Sequence, residues 1–334
     1  MPARPTPALL GRGPNVCRAM AAAGPEAWLR RETGQGVAKK ALVGSSGWSS
    51  AYTYFMEDGT TRYFVKESQG RGPAMFAGEA AGLRAMGAAG TSLKVPEVFE
   101  VGELDRGPPG SGGGSFIVME HLAMSGRTDQ AALGRALAEM HLAEPTAPEA
   151  KAGQFGFPVS TCCRRAERSG GLTKKKVNNT IGGTPQPNPW TDNWVEFFRD
   201  HRLGHQLKLA GDERLSRMAA PVLESLDKFF AGVDVKPSIL HGDLWSGNIA
   251  AAGGRPTIFD PASYYGHHEA EFGMQWCAGF GGDFWDAYHA LIPKAPGFEE
   301  RKQLYLLYHY LNHYNLFGSG YYGQCESILR RLGG

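Results

Sequence analysis

His241-Gly242-Asp243-Leu244-Trp245-Ser246-Gly247-Asn248, followed by Thr257-Ile258-Phe259-Asp260-Pro261, is the stretch whose reading decides the fold. It places a carboxylate, an amide five residues on, and a second carboxylate at the end of an apolar run. Phosphoryl transfer from a nucleotide needs this set: a base for the proton of the attacking hydroxyl, and two oxygen ligands for the Mg²⁺ that neutralises the triphosphate. The spacing His-x-Asp-x₄-Asn matches a kinase catalytic loop, and Asp260 stands where the metal aspartate of such a loop belongs. Asp243 is therefore expected as the base, Asn248 and Asp260 as metal ligands, and ATP with Mg²⁺ as the cofactors. Trp245 lies between base and amide. It suits either a wall of the acceptor pocket, stacked on a sugar face, or an ordinary core position. His241 is expected to hold the loop backbone.

Upstream, Tyr63-Phe64-Val65-Lys66 ends a strand pattern in a lysine, as in the kinase strand whose lysine pairs the α- and β-phosphates. Glu79, on the helix expected over 74–87, is its candidate partner. The turn Gly44-Ser45-Ser46-Gly47 precedes that strand. Small residues let backbone N–H groups approach phosphate oxygens, although read alone this is a plain β-turn. Phe116 to Leu122 is an apolar strand running into a hinge, where the backbone of Glu120, His121 and Leu122 is expected to meet an adenine edge.

Chain length and composition agree. The 334 residues suffice for two lobes, and 42% hydrophobic with 20% charged residues is the balance of a globular protein. A net charge of +2 implies no nucleic-acid partner, and no apolar run reaches the length of a membrane span. The five cysteines lack framework spacing and point to a reducing compartment. The adjacent His267 and His268 have no Cys or Asp at ligand spacing and are not read as a metal pair. Residues 1–24 carry Arg4, Arg12 and Arg18 and no acid, so they read as a disordered extension or a transit peptide.

Strands are expected over 39–43, 52–55, 62–66, 98–104 and 115–119, with a low-complexity loop over 106–114 and helices over 128–142, 194–210, 214–230, 279–291 and 298–314. Around the Asp243 loop only 238–240 and 256–259 read as strands, and 164–189 reads as a solvated loop. The fold class is thus α+β, two-lobed and protein-kinase-like. A small antiparallel N-lobe with one helix spans 25–119, a hinge spans 120–122, and a larger, mainly helical C-lobe spans 123–330.

HGDLWSGN at 241–248, DPASYYGH at 260–267, the run from Ile292 to Gly318, FIVMEHL at 116–122 and Gln154-Phe155-Gly156-Phe157 resemble the fructosamine-kinase (ketosamine 3-kinase) family. The resemblance spans roughly residues 25 to 330. It implies ATP-dependent phosphorylation of the 3-hydroxyl of ketosamines, either small adducts or adducts on glycated proteins, after which the adduct falls apart. It further implies Asp243 as base, Asn248 and Asp260 on Mg²⁺, Lys66 with Glu79 orienting phosphates, and Glu120 to Leu122 as the adenine hinge. The transit-like extension leans toward the plastid-type, ribulosamine-preferring members. That sets a plastid or a mitochondrion as the expected location, and the cytoplasm if the extension is not a transit peptide. Many relatives carry a cysteine in the Gly-rich turn. This chain does not, so redox control there is not expected. Residues 164–176 look like an addition. The competing classes are a kinase for another small alcohol, such as an aminoglycoside or choline, and a nucleotide-binding pseudokinase. The second is disfavoured because Lys66, Asp243, Asn248 and Asp260 are all present.

Overall fold

The computed structural model describes residues 24–70, 72–104, 113–125, 127–158, 160–161, 175–176 and 178–333. The expectations for residues 1–23, for most of the 106–114 loop and for residues 164–174 of the 164–176 addition fall outside the described residues. A short helix α1 (Pro25–Thr33) leads into β1 (Val37–Ser45), β2 (Ser50–Met56), β3 (Arg62–Ser68), α2 (Ala74–Gly87), β4 (Val98–Glu103) and β5 (Ser115–Glu120). These strands form one antiparallel sheet in the order β1-β2-β3-β5-β4. Strand alternation decides which face each side chain covers. Phe116 and Val118 of β5 join Val65, Tyr54 and Met56 against Trp28 and Leu29 of α1. Ile117 and Met119 face the other way, into a cluster with Phe76, Ala80, Leu83 and Met86 of α2. β5 is buried on both faces, which is why its sequence is a continuous apolar run rather than an alternating one.

The second lobe begins with α3 (Gln130–Leu142), capped by Asp129, whose carboxylate accepts from Ala132 N at 2.7 Å. Then come α4 (Pro148–Lys151), β6 (Ser160–Thr161), β7 (Lys175–Lys176), β8 (Asn179–Ile181), β9 (Thr184–Gln186), α5 (Trp194–Phe198), α6 (Gly204–Ala210) and α7 (Glu213–Glu224). The chain continues through β10 (Ser238–Leu240), β11 (Ile249–Ala252), β12 (Arg255–Ile258) and β13 (Tyr264–Gly266) to α8 (Gln275–Ala278), α9 (Gly282–Leu291), α10 (Phe298–Phe317) and α11 (Tyr322–Gly333). No helix among the described residues is long and apolar enough to cross a membrane.

Three sequence expectations are corrected. The helix expected over 194–210 is broken by a π-turn, Arg199–Leu203. The extra residue turns Arg202 inward, where it donates to Pro187 O at 2.7 Å and Asn188 Oδ1 at 2.6 Å and lies over the Tyr264 ring at 4.0 Å. The 164–189 segment is not solvated throughout. From residue 179 it forms the β8–β9 hairpin, with Asn179, Gln186 and Asn188 buried. Finally, β11 and β13 accompany the two strands expected around the Asp243 loop. β10 pairs with β13 and β11 with β12, so the loop is framed by two hairpin-like pairs.

The lobes are tied by backbone. Lys94 N donates to Pro256 O at 2.8 Å and Ile258 N to Lys94 O at 3.1 Å, and Ser125 N donates to Ala251 O at 2.8 Å. The segment before β4 and the segment after β5 therefore both dock on the β11–β12 pair that carries the 248–260 residues.

Candidate active site

The two candidate metal ligands meet because of one register. Ile249 lies opposite Ile258 in the β11–β12 pair, and Phe259 N donates to Asn248 O at 3.2 Å, so Asn248 and Asp260 emerge at the same end of the hairpin. Asp260 has φ 62, the one positive value at a non-glycine position among the described residues. Such a conformation costs free energy and is held by its surroundings, a recurrent feature of functional sites. The Asn248 amide nitrogen donates to Asp243 O at 2.8 Å and Asp260 O at 3.4 Å. Its carbonyl oxygen is therefore the atom it can offer a cation, and with the Asp260 carboxylate it makes a hard oxygen donor set suited to Mg²⁺.

Lys66 Nζ donates to Glu79 Oε1 and to Asp260 Oδ1, each at 2.7 Å. Burial opposes the Lys66 charge, but Asp260 and Glu79 outweigh it and hold the ammonium protonated. Burial lifts the Glu79 carboxyl to about 7 against the pull of Lys66. Burial acts the same way on Asp260, yet Lys66 wins there and keeps the carboxyl below its ordinary value. Three of the expected residues thus form one charged chain across the lobes, from α2 through β3 to the end of β12.

Asp243 sits on a loop fixed from behind. Gly242 has φ +79, and a Cβ there would run into Ala262 O, so the turn accepts only glycine. The Glu271 carboxylate accepts from His241 N at 2.7 Å and Gly242 N at 2.9 Å, and its Oε2 lies 3.2 Å from His141 Nε2. Burial would raise Glu271, but the hydrogen bond and charge of His141, then His241 and the Gly242 N–H, hold it low and ionised. His241 is kept neutral by burial. Its Nε2–H donates to Phe259 O at 2.9 Å while Nδ1 accepts from Asp243 N at 3.3 Å. The histidine thus holds backbone on both sides, as expected. Burial, with the charges of Asp260 and Glu271 adding to it, raises the Asp243 carboxyl to about 7. That value is near optimal for a general base at neutral pH.

The remaining expected residues flank this centre. Ser50 lies opposite Glu67, and Ser68 Oγ donates to Trp48 O at 2.7 Å, so the Gly44–Gly47 turn sits just past the Lys66 end of β3. A Cβ at Gly44 or Gly47 would meet nothing within 4 Å, which leaves open space for a ligand. The turn is self-bonded. Ser46 Oγ accepts from Trp48 N at 3.3 Å and Ser49 N at 3.2 Å, where an anion's oxygen could stand instead. Glu120 lies opposite Tyr63, its N–H donates to Glu97 O at 2.8 Å, and its carboxylate accepts from Lys94 Nζ at 2.7 and 2.6 Å. Its side chain is a clamp between segments, so a role toward a base falls to backbone groups of His121 and Leu122. Trp245 is 40% exposed, which excludes the core alternative, and its ring folds over Gly247 beside the catalytic loop. Sequence reasoning missed Glu271, whose signal was one of two acids, with Glu269, within the tightly packed His268–Met274 turn. Donor atoms of His267, His268 and Glu269 come within 4.8 Å of one another. Arg301 already holds Glu269 through two bonds of 2.7 Å, so its guanidinium supplies the positive charge there.

A two-lobed fold with this centre can be compared with known proteins. The family model for fructosamine kinase matches residues 23–175 and 171–333. The chain belongs to the fructosamine kinase family. A chloroplastic protein-ribulosamine 3-kinase of Oryza sativa subsp. indica is 47% identical over 294 residues, covering 86% of this chain and 76% of that protein. The ketosamine-3-kinase of Mus musculus is 38% identical over 335 residues, covering 92% and 99%. A crystal structure from Thermobifida fusca, provisionally assigned as a fructosamine-3-kinase, superposes with a TM-score of 0.72 at 28% identity, covering 92% and 97%. The family expectation from the catalytic-loop, DPASYYGH and FIVMEHL segments is met across almost the whole described chain.

Proposed function

We propose that this fructosamine kinase transfers the γ-phosphoryl group of ATP to the 3-hydroxyl of ketosamines, with ribulosamine as preferred acceptor and fructosamine as a second. The observation that carries the catalytic part is the Asp243 carboxyl, raised to about 7 on a loop pinned by Glu271 and His241, next to the Lys66–Asp260 pair. The acceptor class rests on the family and on its relatives in rice and mouse.

In this account Asp243 accepts the proton of the attacking 3-hydroxyl. Lys66, oriented by Glu79, binds the α- and β-phosphates, and backbone N–H groups of the turn that begins at Gly44–Gly47 cover them once Ser46 Oγ turns away from Trp48 N and Ser49 N. Backbone groups of His121 and Leu122 meet the adenine edge. Asn248 and Asp260 would hold Mg²⁺, which when bound neutralises charge on the triphosphate. Trp245 offers its exposed ring to the C–H face of the ketose. The resulting 3-phosphate makes the adduct fall apart, which removes the sugar from a glycated amine. The chloroplastic relative in rice and the basic, acid-free residues 1–24 favour a plastid location.

Turnover with Mg-ATP and a panel of acceptors tests the proposal. Transfer to ribulosamine or fructosamine but not to kanamycin or choline is expected. Transfer to either of the latter alone would move the acceptor class.

A further inference from the structure

At the tip of the β1–β2 turn stands Trp48, half-buried although the residues just before it, 42–47, are exposed. Its ring lies against Gly183, in the β8–β9 turn of the other lobe. A Cβ at Gly183 would fall 2.5, 2.9 and 3.0 Å from Cζ3, Cε3 and Cη2 of the indole, so no other residue leaves the ring where it is. Both partners are fixed independently. On one side the Trp48 carbonyl accepts from Ser68 Oγ at 2.7 Å, two residues after Lys66. On the other, Asn179 Nδ2 donates to Ser263 O at 2.7 Å and Gln186 Nε2 to Ala262 O at 3.0 Å, while Tyr308 OH donates to Gln186 Oε1 at 2.6 Å. The hairpin is therefore anchored on the residues directly after Asp260-Pro261. The ring–glycine contact joins the turn that would cover phosphates to the hairpin bonded to Ala262 and Ser263, directly after the candidate metal carboxylate.

We propose that Trp48 is a positioning residue of the phosphoryl-transfer step, and that its seat on Gly183 holds the Gly-rich turn closed against the second lobe. The backbone N–H of Trp48 itself, with that of Ser49, is one of the donors now spent on Ser46 Oγ. Where the ring is seated, those donors are placed, and the phosphoryl group they cover is shielded from water. An unseated turn leaves the γ-phosphorus open to water, whose attack gives ADP and inorganic phosphate in place of ADP and the sugar phosphate. The claim rests on the kinase function proposed above and names how the same site is kept dry.

The test compares wild type with Trp48→Ala, Trp48→Phe, Gly183→Val and the Trp48→Ala/Gly183→Val double variant, scoring ADP formed per 3-phosphate formed. A ratio near one is expected in wild type and in Trp48→Phe. In Trp48→Ala it should rise severalfold while transfer falls about tenfold, since small misplacements at a reacting centre cost heavily. Gly183→Val should reproduce this, and the double variant should be no worse than Trp48→Ala, because both changes remove one contact. Hydrogen exchange of residues 180–184 without nucleotide reads the contact apart from turnover and should quicken in Trp48→Ala. Quickened exchange in Trp48→Ala beside a wild type that phosphorylates no ketosamine would count against the function and not against the contact. Unchanged exchange, a ratio of one in Trp48→Ala, or additive losses in the double variant would overturn the proposal. Should Gly183→Val fail to fold, the Ala–Phe contrast at Trp48 decides alone.

Discussion

In the proposed mechanism Asp243 is the base, and its environment makes a pH prediction. A base works deprotonated, so with the carboxyl near 7 the rate of transfer should climb as pH rises through about 7 and level off above it. The same shift has a stability consequence of opposite sign. A carboxyl whose folded value lies above its unfolded one favours the folded state most when protonated. Its contribution is lost as pH climbs from about 4 through about 7. Asp243→Asn should then lower turnover by about 10²–10⁴, leave ATP affinity in place and raise the melting temperature at pH 8. Turnover near wild type in a folded variant would remove Asp243 from the role of base. Trp245 belongs to this scale too. Because its ring is exposed beside the loop, Trp245→Ala should raise KM for the ketosamine with KM for ATP nearly unchanged. Loss of stability with both constants unmoved would contradict that assignment. That Asp243, Asn248 and Asp260 come together could be read from the sequence because a hydrophilic spacing, Asp-x₄-Asn with a distal Asp, has few uses besides holding phosphate and metal. Glu271 could not be, since its partners are two backbone N–H groups and a histidine from α3, none of which is near it in the chain.

Among elements, β2, β3, β5 and α2 were legible: β2 and β3 as short aromatic and β-branched runs on either side of the Asp58-Gly59 turn, β5 as a continuous apolar run, and α2 by a 3–4 rhythm. The β8–β9 hairpin was not. Beside Ile181 and Thr184 it buries Asn179 and Gln186, with Asn188 just after it, polar side chains whose burial rests on bonds to Ser263 O, Ala262 O and Arg202, so hydropathy reported solvent. The Gly182-Gly183 pair between Ile181 and Thr184 was the available turn signal. The break at 199–203 escaped for a related reason, since a π-turn leaves helical periodicity nearly intact on either side. The loop holding Asp243 depends on an element distant in sequence, the turn around Glu271, and this dependence is testable. Glu271→Ala strands the His241 and Gly242 N–H groups. It should cost about 2–5 kcal/mol of stability in chemical denaturation and slow transfer more than it weakens ATP binding. An equal loss in both would mean that Glu271 supports the lobe as a whole and not the catalytic loop.

For the whole molecule, the ties between the lobes include a charged chain, Glu79–Lys66–Asp260, the Lys94 and Ser125 backbone bonds to the β11–β12 pair, the Arg255 bonds to Ser92 O and Leu93 O, and the seat of Trp48 on Gly183. A nucleotide entering between them must replace the Lys66–Asp260 bond. Mg-ATP at about 100 times its Kd should nonetheless stabilise the protein by about 2.7 kcal/mol, seen as a rise in melting temperature. In Asp260→Ala the Mg²⁺-dependent share of that rise should vanish while a metal-free share persists; an unchanged Mg²⁺ dependence would place the ligand elsewhere. The central claim, transfer to the 3-hydroxyl of a ketosamine, is tested most directly by NMR of the product formed from ATP and a ribulosamine of lysine. The account predicts a phosphorus–proton coupling to H3, followed by release of free lysine as the adduct falls apart. Phosphate on any other hydroxyl, or consumption of ATP with no phosphosugar, would contradict it.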